Sequence, residues 1–290
     1  MKYIYYPGCS LEGTAREYDL STRALLKAIG VELHELNDWT CCGATAAEPT
    51  SFLLSLSLGA RNLALAEAMS ESMDIMVPCS ACYLNLKRVG EKIKTEPDLL
   101  SKVNSVLDEN NLRLEGKIRV RHLLDIIIND IGTKTIMPLV KKRLTGFFVA
   151  PYYGCQCLRP YQVFDDPEKP VSMEPIIGSL GAEIHDWEMG AKCCGASHMT
   201  TKMDVGIELV APILKAAKGA DLIVTVCPMC QMNLEAYQSK ASKVCGDDVS
   251  ITILYLPQLI GLALGLTEKE LRLDLNLSVT NEFLRKLRSK

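Results

Sequence analysis

The chain has no apolar run long enough to cross a bilayer. A spanning helix needs about 20 residues, and the most apolar stretch, residues 251–266, is broken by Pro257, Gln258 and two glycines. It also has no basic run and no RNA-binding signature. With 32 Lys and Arg against 35 Asp and Glu the formal charge is −3, which argues against nucleic acid as the main partner. The first residues, Met1 to Cys9, lack the layout of a signal peptide, so the expected location is cytoplasmic. What remains is a globular chain of 290 residues, 48% hydrophobic and 23% charged, long enough for two domains that each bury a core.

Cysteine is what the chain does have, and its twelve copies are patterned. Thr40-Cys-Cys-Gly-Ala44 returns as Lys192-Cys-Cys-Gly-Ala196. Each Cys-Cys-Gly has one cysteine upstream in a Tyr-rich Gly-Cys context, Cys9 and Cys155, and a CxxC downstream, Cys79/Cys82 and Cys227/Cys230. In a large chain without an export signal, clustered thiols point to metal binding or redox chemistry rather than to a disulfide scaffold. A disulfide between adjacent cysteines would close a strained ring, whereas two adjacent thiolates can reach one polynuclear centre.

The surrounding sequence repeats with the cysteines. Residues 2–8 read as a short strand that delivers Cys9 at its end. A helix follows over 14–29, a strand over 31–36, a long helix over 51–69, a strand over 74–78, and a helix carrying Cys82 to about Val89. A polar helical excursion over 95–118 starts at Pro97, with a fourth strand at 117–120 and an apolar helix from His122. Residues 132–146 read as a linker. The second half repeats the plan with strands at 147–153, 182–185, 221–226 and 251–255 and helices at 175–180, 205–217 and 257–264. The words LLKAIGVELHELNDW and IIGSLGAEIHDW recur, as do DIMVPCSACYLNL and DLIVTVCPMCQMNL. Alternating strands and helices predict a parallel sheet with helices on its faces, twice. The expected domains are 1–145 and 146–290, related by a pseudo-two-fold and meeting across the cysteine loops. The tail from about Thr267 to Lys290 reads as two polar surface helices.

Open parallel sheets place ligands beyond the carboxyl ends of their strands, which is where all ten patterned cysteines fall. The intervals Cys9–Cys41, Cys42–Cys79, Cys155–Cys193 and Cys194–Cys227 span 31, 36, 37 and 32 residues, each suited to one βα unit. Glycine after each Cys-Cys pair lets the backbone turn close to a metal, and Pro78 and Pro228 stiffen the strand-to-helix turn. A helix N-terminus favours the thiolate a metal needs. Zinc or a cubane [4Fe-4S] cluster would use four cysteines and leave one over in each half. Five donors suit a centre of greater coordination demand. Spacing by itself leaves these alternatives open.

The doubled C…CCG…CxxC pattern resembles the paired cysteine-rich CCG domains of the heterodisulfide reductase B subunit. Related domains occur in iron–sulfur subunits of glycolate and lactate oxidoreductases and in certain succinate dehydrogenase anchor-type subunits. The resemblance runs from Met1 to about Gly265. It implies an α/β fold of two CCG domains, each a small, mostly parallel sheet flanked by helices. It also implies two noncubane [4Fe-4S] clusters, the first held by Cys9, Cys41, Cys42, Cys79 and Cys82, the second by Cys155, Cys193, Cys194, Cys227 and Cys230. The chain has no CxxCxxCxxxCP ferredoxin run. That departs from the glycolate-oxidase type and favours a stand-alone B subunit fed by a ferredoxin-like C subunit, beside a flavin-containing A subunit. Cys157 competes with Cys155 for one ligand position; Cys155 is preferred because it shares the Gly-Cys context of Cys9. Cys245 falls outside the repeat as an ordinary thiol, and the shorter 194–227 interval implies a trimmed loop.

The chemistry expected from the resemblance is reductive cleavage of a disulfide, such as the coenzyme M–coenzyme B heterodisulfide, between two clusters facing one crevice. The alternative is a non-catalytic electron-transfer subunit. His198 is the candidate proton donor, weighed against a structural histidine. His34 and His185 share one repeat position and read as structural. Trp39 and Trp187 are expected to pack over the clusters. Lys192 and Arg159 could attract an anionic substrate, with surface solvation the default. Met69, Met73 and Met76 are expected in the core.

Overall fold

The structure is a computed structural model that describes residues 1–44, 47–70 and 72–289. Its first half contains β1 (Lys2–Tyr5), α1 (Gly8–Glu12), α2 (Arg16–Ala28), β2 (Glu32–Glu35), α3 (Ala47–Thr50), α4 (Phe52–Met69), β3 (Ile75–Val77), α5 (Ser80–Thr95), α6 (Pro97–Leu107), β4 (Val120–His122), α7 (Leu123–Ile126) and α8 (Gly132–Ile136). Its second half contains β5 (Phe148–Tyr152), α9 (Met173–Ser179), β6 (Glu183–Ile184), α10 (Met203–Ala216), β7 (Leu222–Thr225), α11 (Pro228–Ala236), α12 (Gln238–Cys245), β8 (Thr252–Tyr255), α13 (Leu256–Ala263) and α14 (Asn281–Arg288).

Each half builds a four-stranded sheet, β2-β1-β3-β4 and β6-β5-β7-β8, and every pairing is parallel. This is the expected α/β architecture in duplicate. The central strands β3 and β7 are wholly buried, as strands covered by helices on both faces must be. Local chemistry sets the helix ends. The Ser51 hydroxyl accepts from Leu54 N to start α4, Pro97 and Pro228 occupy the first turns of α6 and α11, and Thr280 caps α14.

One large core cluster spans both halves, and a smaller one lies within the second half. The helix after each fourth strand leans on the other half: α13 packs on α2, and α8 packs on α9. The buried cluster accordingly runs from Tyr3 and Leu25 through Leu123 to Leu222 and Leu259. Burying apolar surface at roughly 25 cal/mol per Å² makes such a seam a large contributor to stability.

Several expectations are corrected. Cys9 does not end a strand: β1 stops at Tyr5, and Gly8, at φ +71°, turns the chain so that Cys9 sits in the first turn of α1. The expected linker contains α8, which is held by its packing on α9. The fourth strand lies at 120–122 rather than 117–120, because its pairing with β3 sets the register. Helix α12 is an addition to the plan read from periodicity. The tail holds a short 3-10 helix, Leu273–Leu275, and α14, with Leu273, Phe283 and Leu287 buried and the Phe283 ring edge-on to Phe147 at 5.6 Å, so it closes the core rather than floating on the surface; its final residue, Lys290, lies outside the described residues. Met76 is fully buried, but Met69 is exposed at the end of α4.

Candidate functional site

The two Cys-Cys-Gly loops are held by the same three devices. First, a tyrosine at the end of the leading strand reaches across to the loop: the Tyr6 hydroxyl donates to Thr40 O at 2.7 Å, and the Tyr152 hydroxyl to Lys192 O at 2.6 Å. Second, an asparagine three residues past each CxxC donates to the carbonyl of the second loop cysteine, Asn233 Nδ2 to Cys194 O at 3.0 Å and Asn85 Nδ2 to Cys42 O. Third, the glycine folds back so that its N–H points at the preceding sulfur: Gly43 N to Cys41 Sγ at 3.5 Å, and Gly195 N to Cys193 Sγ at 3.4 Å. Both glycines have positive φ, +80° and +70°, and a Cβ would meet backbone of α4 or α10 at 3.1 and 3.0 Å. Only glycine fits there.

The sulfurs gather as pairs. Cys42 Sγ lies 3.3 Å from Cys82 Sγ, and Cys194 Sγ lies 3.5 Å from Cys230 Sγ. Cys41 adjoins Cys42, Cys79 adjoins Cys82, Cys155 adjoins Cys193, and Cys227 adjoins Cys230. Cys9 joins the first group, being close to both Cys41 and Tyr6. Each pocket has three buried thiols; Cys9, Cys41 and Cys193 are exposed and Cys155 half-buried, so each also has an outer corner open to solvent. Cys79 and Cys227 are the N-cap residues of α5 and α11, which puts Cys82 and Cys230 in the first helical turns, as expected.

The electrostatics of these pockets suit a positively charged guest. Hydrogen bonds from Cys41 and Cys82 push the Cys42 thiol down to about 4. A hydrogen bond from Cys155 takes Cys193 down to about 5, and one from Cys230 takes Cys227 down to about 6. Their donors Cys41, Cys155, Cys82 and Cys230 are pushed up, because neighbouring thiolates and burial resist further negative charge. Five thiolates can ionise together in such a pocket only around a polycation. Gly8 and Gly154 leave the wall open: a Cβ on either would lie 3.0 Å from the sulfur of Cys82 or Cys230. The donor set thus fits an iron–sulfur cluster in each half.

The remaining candidates sort by position. Trp39 and Trp187 pack edge-on against Tyr6 and Tyr152, at 5.5 and 6.2 Å, and so brace the tyrosines that pin the loops. His198 and Arg159 both lie near enough to Cys193 to favour its thiolate. Arg159 also donates to Ala191 O at 2.7 Å and pairs with Glu168. His34 faces Glu32 and His185 faces Ala216 O, each at 2.9 Å, in keeping with structural roles. Cys157 is buried near Cys227, and its thiol donates to Tyr153 O at 3.2 Å. Cys245 contacts Ala211 O at 3.5 Å, outside either pocket.

Sequence reasoning missed the residues of the seam. The Tyr18 hydroxyl, fully buried, lies 3.2 Å from Pro78 O and 3.0 Å from Val226 O, the carbonyls that immediately precede Cys79 and Cys227. Its ring stacks on Tyr255 at 4.0 Å and 2°. Ser80 and His122 lie beside it, 3.2 Å apart. The segments that lead into the two CxxC motifs therefore meet around one tyrosine. The available signal was the repeat itself, which puts His122 and Tyr255 at one position.

A family model described as a cysteine-rich domain, CCG, matches the chain twice, over residues 3–87 and 149–235. The chain is 35% identical over 279 residues to the 8-methylmenaquinol:fumarate reductase membrane anchor subunit of Wolinella succinogenes, covering 95% of this chain and 96% of that one. It is 31% identical over 274 residues to a protein of Archaeoglobus profundus that is named as similar to the heterodisulfide reductase B subunit, covering 91% of each. The crystal structure of a hypothetical protein from Helicobacter pylori has the same fold, with a TM-score of 0.77 at 18% identity; it covers 97% of this chain, which spans 52% of that longer one.

Proposed function

The chain belongs to the CCG cysteine-rich domain family, and from that premise we propose that it is an iron–sulfur reductase subunit that cleaves a disulfide reductively between two five-cysteine pockets. The observation that carries this reading is the duplicated pocket, with five thiols in each half on matched loops and the two CxxC segments joined through Tyr18. The domains would be 1–145 and 146–290. The first cluster would be held by Cys9, Cys41, Cys42, Cys79 and Cys82, the second by Cys155, Cys193, Cys194, Cys227 and Cys230, and both would be noncubane [4Fe-4S] centres. When bound, such centres supply single-electron chemistry, and a pair of them matches the two electrons a disulfide takes up.

The chain's own residues would do the rest. Tyr6, Tyr152, Asn85 and Asn233 fix the ligand loops so that the sulfurs need not reorganise. The open corners at Cys9/Cys41 and Cys155/Cys193 give a substrate sulfur its approach. His198, beside Cys193, is placed to donate a proton to a departing thiolate, and Arg159 with Lys192 to favour an anionic substrate. A ferredoxin-like C subunit would deliver electrons, and a flavin-containing A subunit would complete the assembly in the cytoplasm. No helix among the described residues is long and apolar enough to cross a membrane.

The test is direct. Oxygen-free protein should be brown, contain iron and labile sulfide, and reduce a disulfide such as the coenzyme M–coenzyme B heterodisulfide with a low-potential donor. Zinc, or no metal, would sink this reading. A second reading, a non-catalytic electron-transfer subunit, is favoured by the relative named a fumarate reductase membrane anchor subunit. Iron present with electron transfer but no disulfide turnover would select it.

A further inference from the structure

Pro78 and Val226 hold the same place in the two halves, each immediately before the first cysteine of its CxxC. The Val226 carbonyl belongs to a fully buried residue and receives two hydroxyls, from Tyr18 at 3.0 Å and from Ser80 at 3.4 Å. Both donors come from the first half. Counting protons fixes the direction of the second bond. His122 Nδ1 accepts from Leu124 N at 3.1 Å, so the neutral ring carries its hydrogen on Nε2 and gives it to Ser80 Oγ, 3.2 Å away. Ser80 is left with its own hydrogen for Val226 O. Tyr18 also has one hydrogen, and Val226 O is nearer to it than Pro78 O, which lies at 3.2 Å. Among the described residues nothing in the second half donates to Pro78 O in return. Counted along the repeat, the place of Tyr18 falls to Lys169, which is exposed, and that of Ser80 to Pro228, which has no side-chain donor. The place of His122 falls to Tyr255, which lies flat on Tyr18.

The carbonyl matters because of the residue it leads into. Cys227 caps α11 with φ −139° and ψ 126°. Pro228 restricts that ψ to extended values, so the freedom left lies in the Val226–Cys227 peptide plane. Turning this plane swings the Cα–Cβ bond that carries the sulfur. In the first half the ring of Pro78 fixes φ at the residue before Cys79, whereas Val226 has no ring. We propose that Tyr18 and Ser80, with His122 behind Ser80, are positioning residues that hold the Val226 carbonyl and so aim the Cys227 sulfur. The second pocket then takes part of its shape from the first half, while the first pocket is set from within its own. The inference rests on the iron–sulfur reading above.

The experiment challenges the full, iron-loaded chain with an iron chelator in the absence of oxygen and follows the bleaching of its visible absorption. Cys42→Ala leaves the second centre to be watched, and Cys194→Ala the first. Tyr18→Phe removes one hydroxyl and keeps the ring on Tyr255; Ser80→Ala removes the other. Each should speed bleaching roughly five-fold in the Cys42→Ala background, the equivalent of one net hydrogen bond of about 1 kcal/mol, and far less in the Cys194→Ala background. Ser80→Thr, which keeps the hydroxyl, should recover most of the loss. If the double variants load poorly, the same substitutions in the parent chain should quicken one of two bleaching phases and leave the other. Equal acceleration of both centres, as a general loss of stability would give, would overturn the proposal and leave the iron–sulfur reading standing. So would no acceleration of either, or a threonine variant that bleaches as fast as the alanine one. A wild-type chain without iron would overturn that reading, and this inference with it.

Discussion

On β4 in the first half, Arg121 is buried between Asp125 and Asp130, each at 2.6 Å. At the same register of β8 in the second half stands Leu254, in a wholly buried strand. The strand after the CxxC unit can thus close either by an ion-pair network or by aliphatic packing. The groups around the sulfurs show no such freedom: Tyr6 and Tyr152, Asn85 and Asn233, and Gly43 and Gly195 make the same contacts in both halves. What the two halves share is what sets the sulfur positions, and they differ where only burial is required. Between these extremes lies the seam, where Ser80 and His122 face Pro228 and Tyr255.

The strongest way to break the comparison is at the ligands. Cys42→Ala and Cys194→Ala should each lose the iron of their own half and keep the other's, as read by iron and sulfide analysis and visible absorption. Loss of both centres from one substitution would show that the pockets are not separate. Next is Arg121→Leu, which imports the second half's solution without its context. It strands Asp125 and Asp130 and should cost about 3–5 kcal/mol in denaturant unfolding, while a further change of both aspartates to Asn should recover most of the loss.

Acid should reveal the same network. Burial pushes the Asp130 carboxyl up, but hydrogen bonds from Arg121 and Tyr3 outweigh this and hold it below its usual range. The folded chain therefore binds that proton less readily than the unfolded one. The resulting stability is present above about pH 4 and is lost as pH falls below it. Arg121→Leu should flatten this dependence in a pH series of melting curves.

Gly8→Ala and Gly154→Ala sharpen the likeness of the halves. Both glycines have positive φ, +71° and +72°, and both leave 3.0 Å between a new Cβ and a ligand sulfur. Each should cost about 1–3 kcal/mol and weaken iron retention in its own half, to the same degree. Unequal losses would show that the two cradles differ.

The smallest effect concerns Glu235 on α11. Burial, with Glu17 nearby, pushes its carboxyl up to about 7. The folded state holds that proton more tightly than the unfolded state, so its contribution is full below about pH 4 and is lost as pH rises towards 7. Glu235→Gln should remove this decline. The position eight residues after Cys79 is Lys87, so no matching effect is expected in the first half.

Much of this molecule is legible in the unfolded chain. Period-2 and period-3.6 patterns place most strands and helices within two or three residues, and the repeat of cysteine spacing matches the two sheets. The misses have physical causes. Gly8 moves Cys9 from a strand end into a helix because positive φ reverses the chain, which a Pro-Gly pair signals only as a break. The tail reads as surface because its charged residues mask Phe283 and Leu287, whose burial depends on finding Phe147 well over a hundred residues away. Met69 escapes the core because it closes α4 on its exposed last turn.

The sequence alone determined which ten cysteines form two sets and which loops present them, because strand and helix periods and the Cys-Cys-Gly turn are local properties carried by neighbouring residues. Only the tertiary structure decided what lies between the sets. Tyr18 meets Val226 across 208 positions of chain and Ser80 meets it across 146. Contacts of that span arise from the packing of α13 on α2 and of α8 on α9, not from any neighbour in sequence. A repeating pattern announces two like pockets, but which residues meet at the seam between them is set by packing.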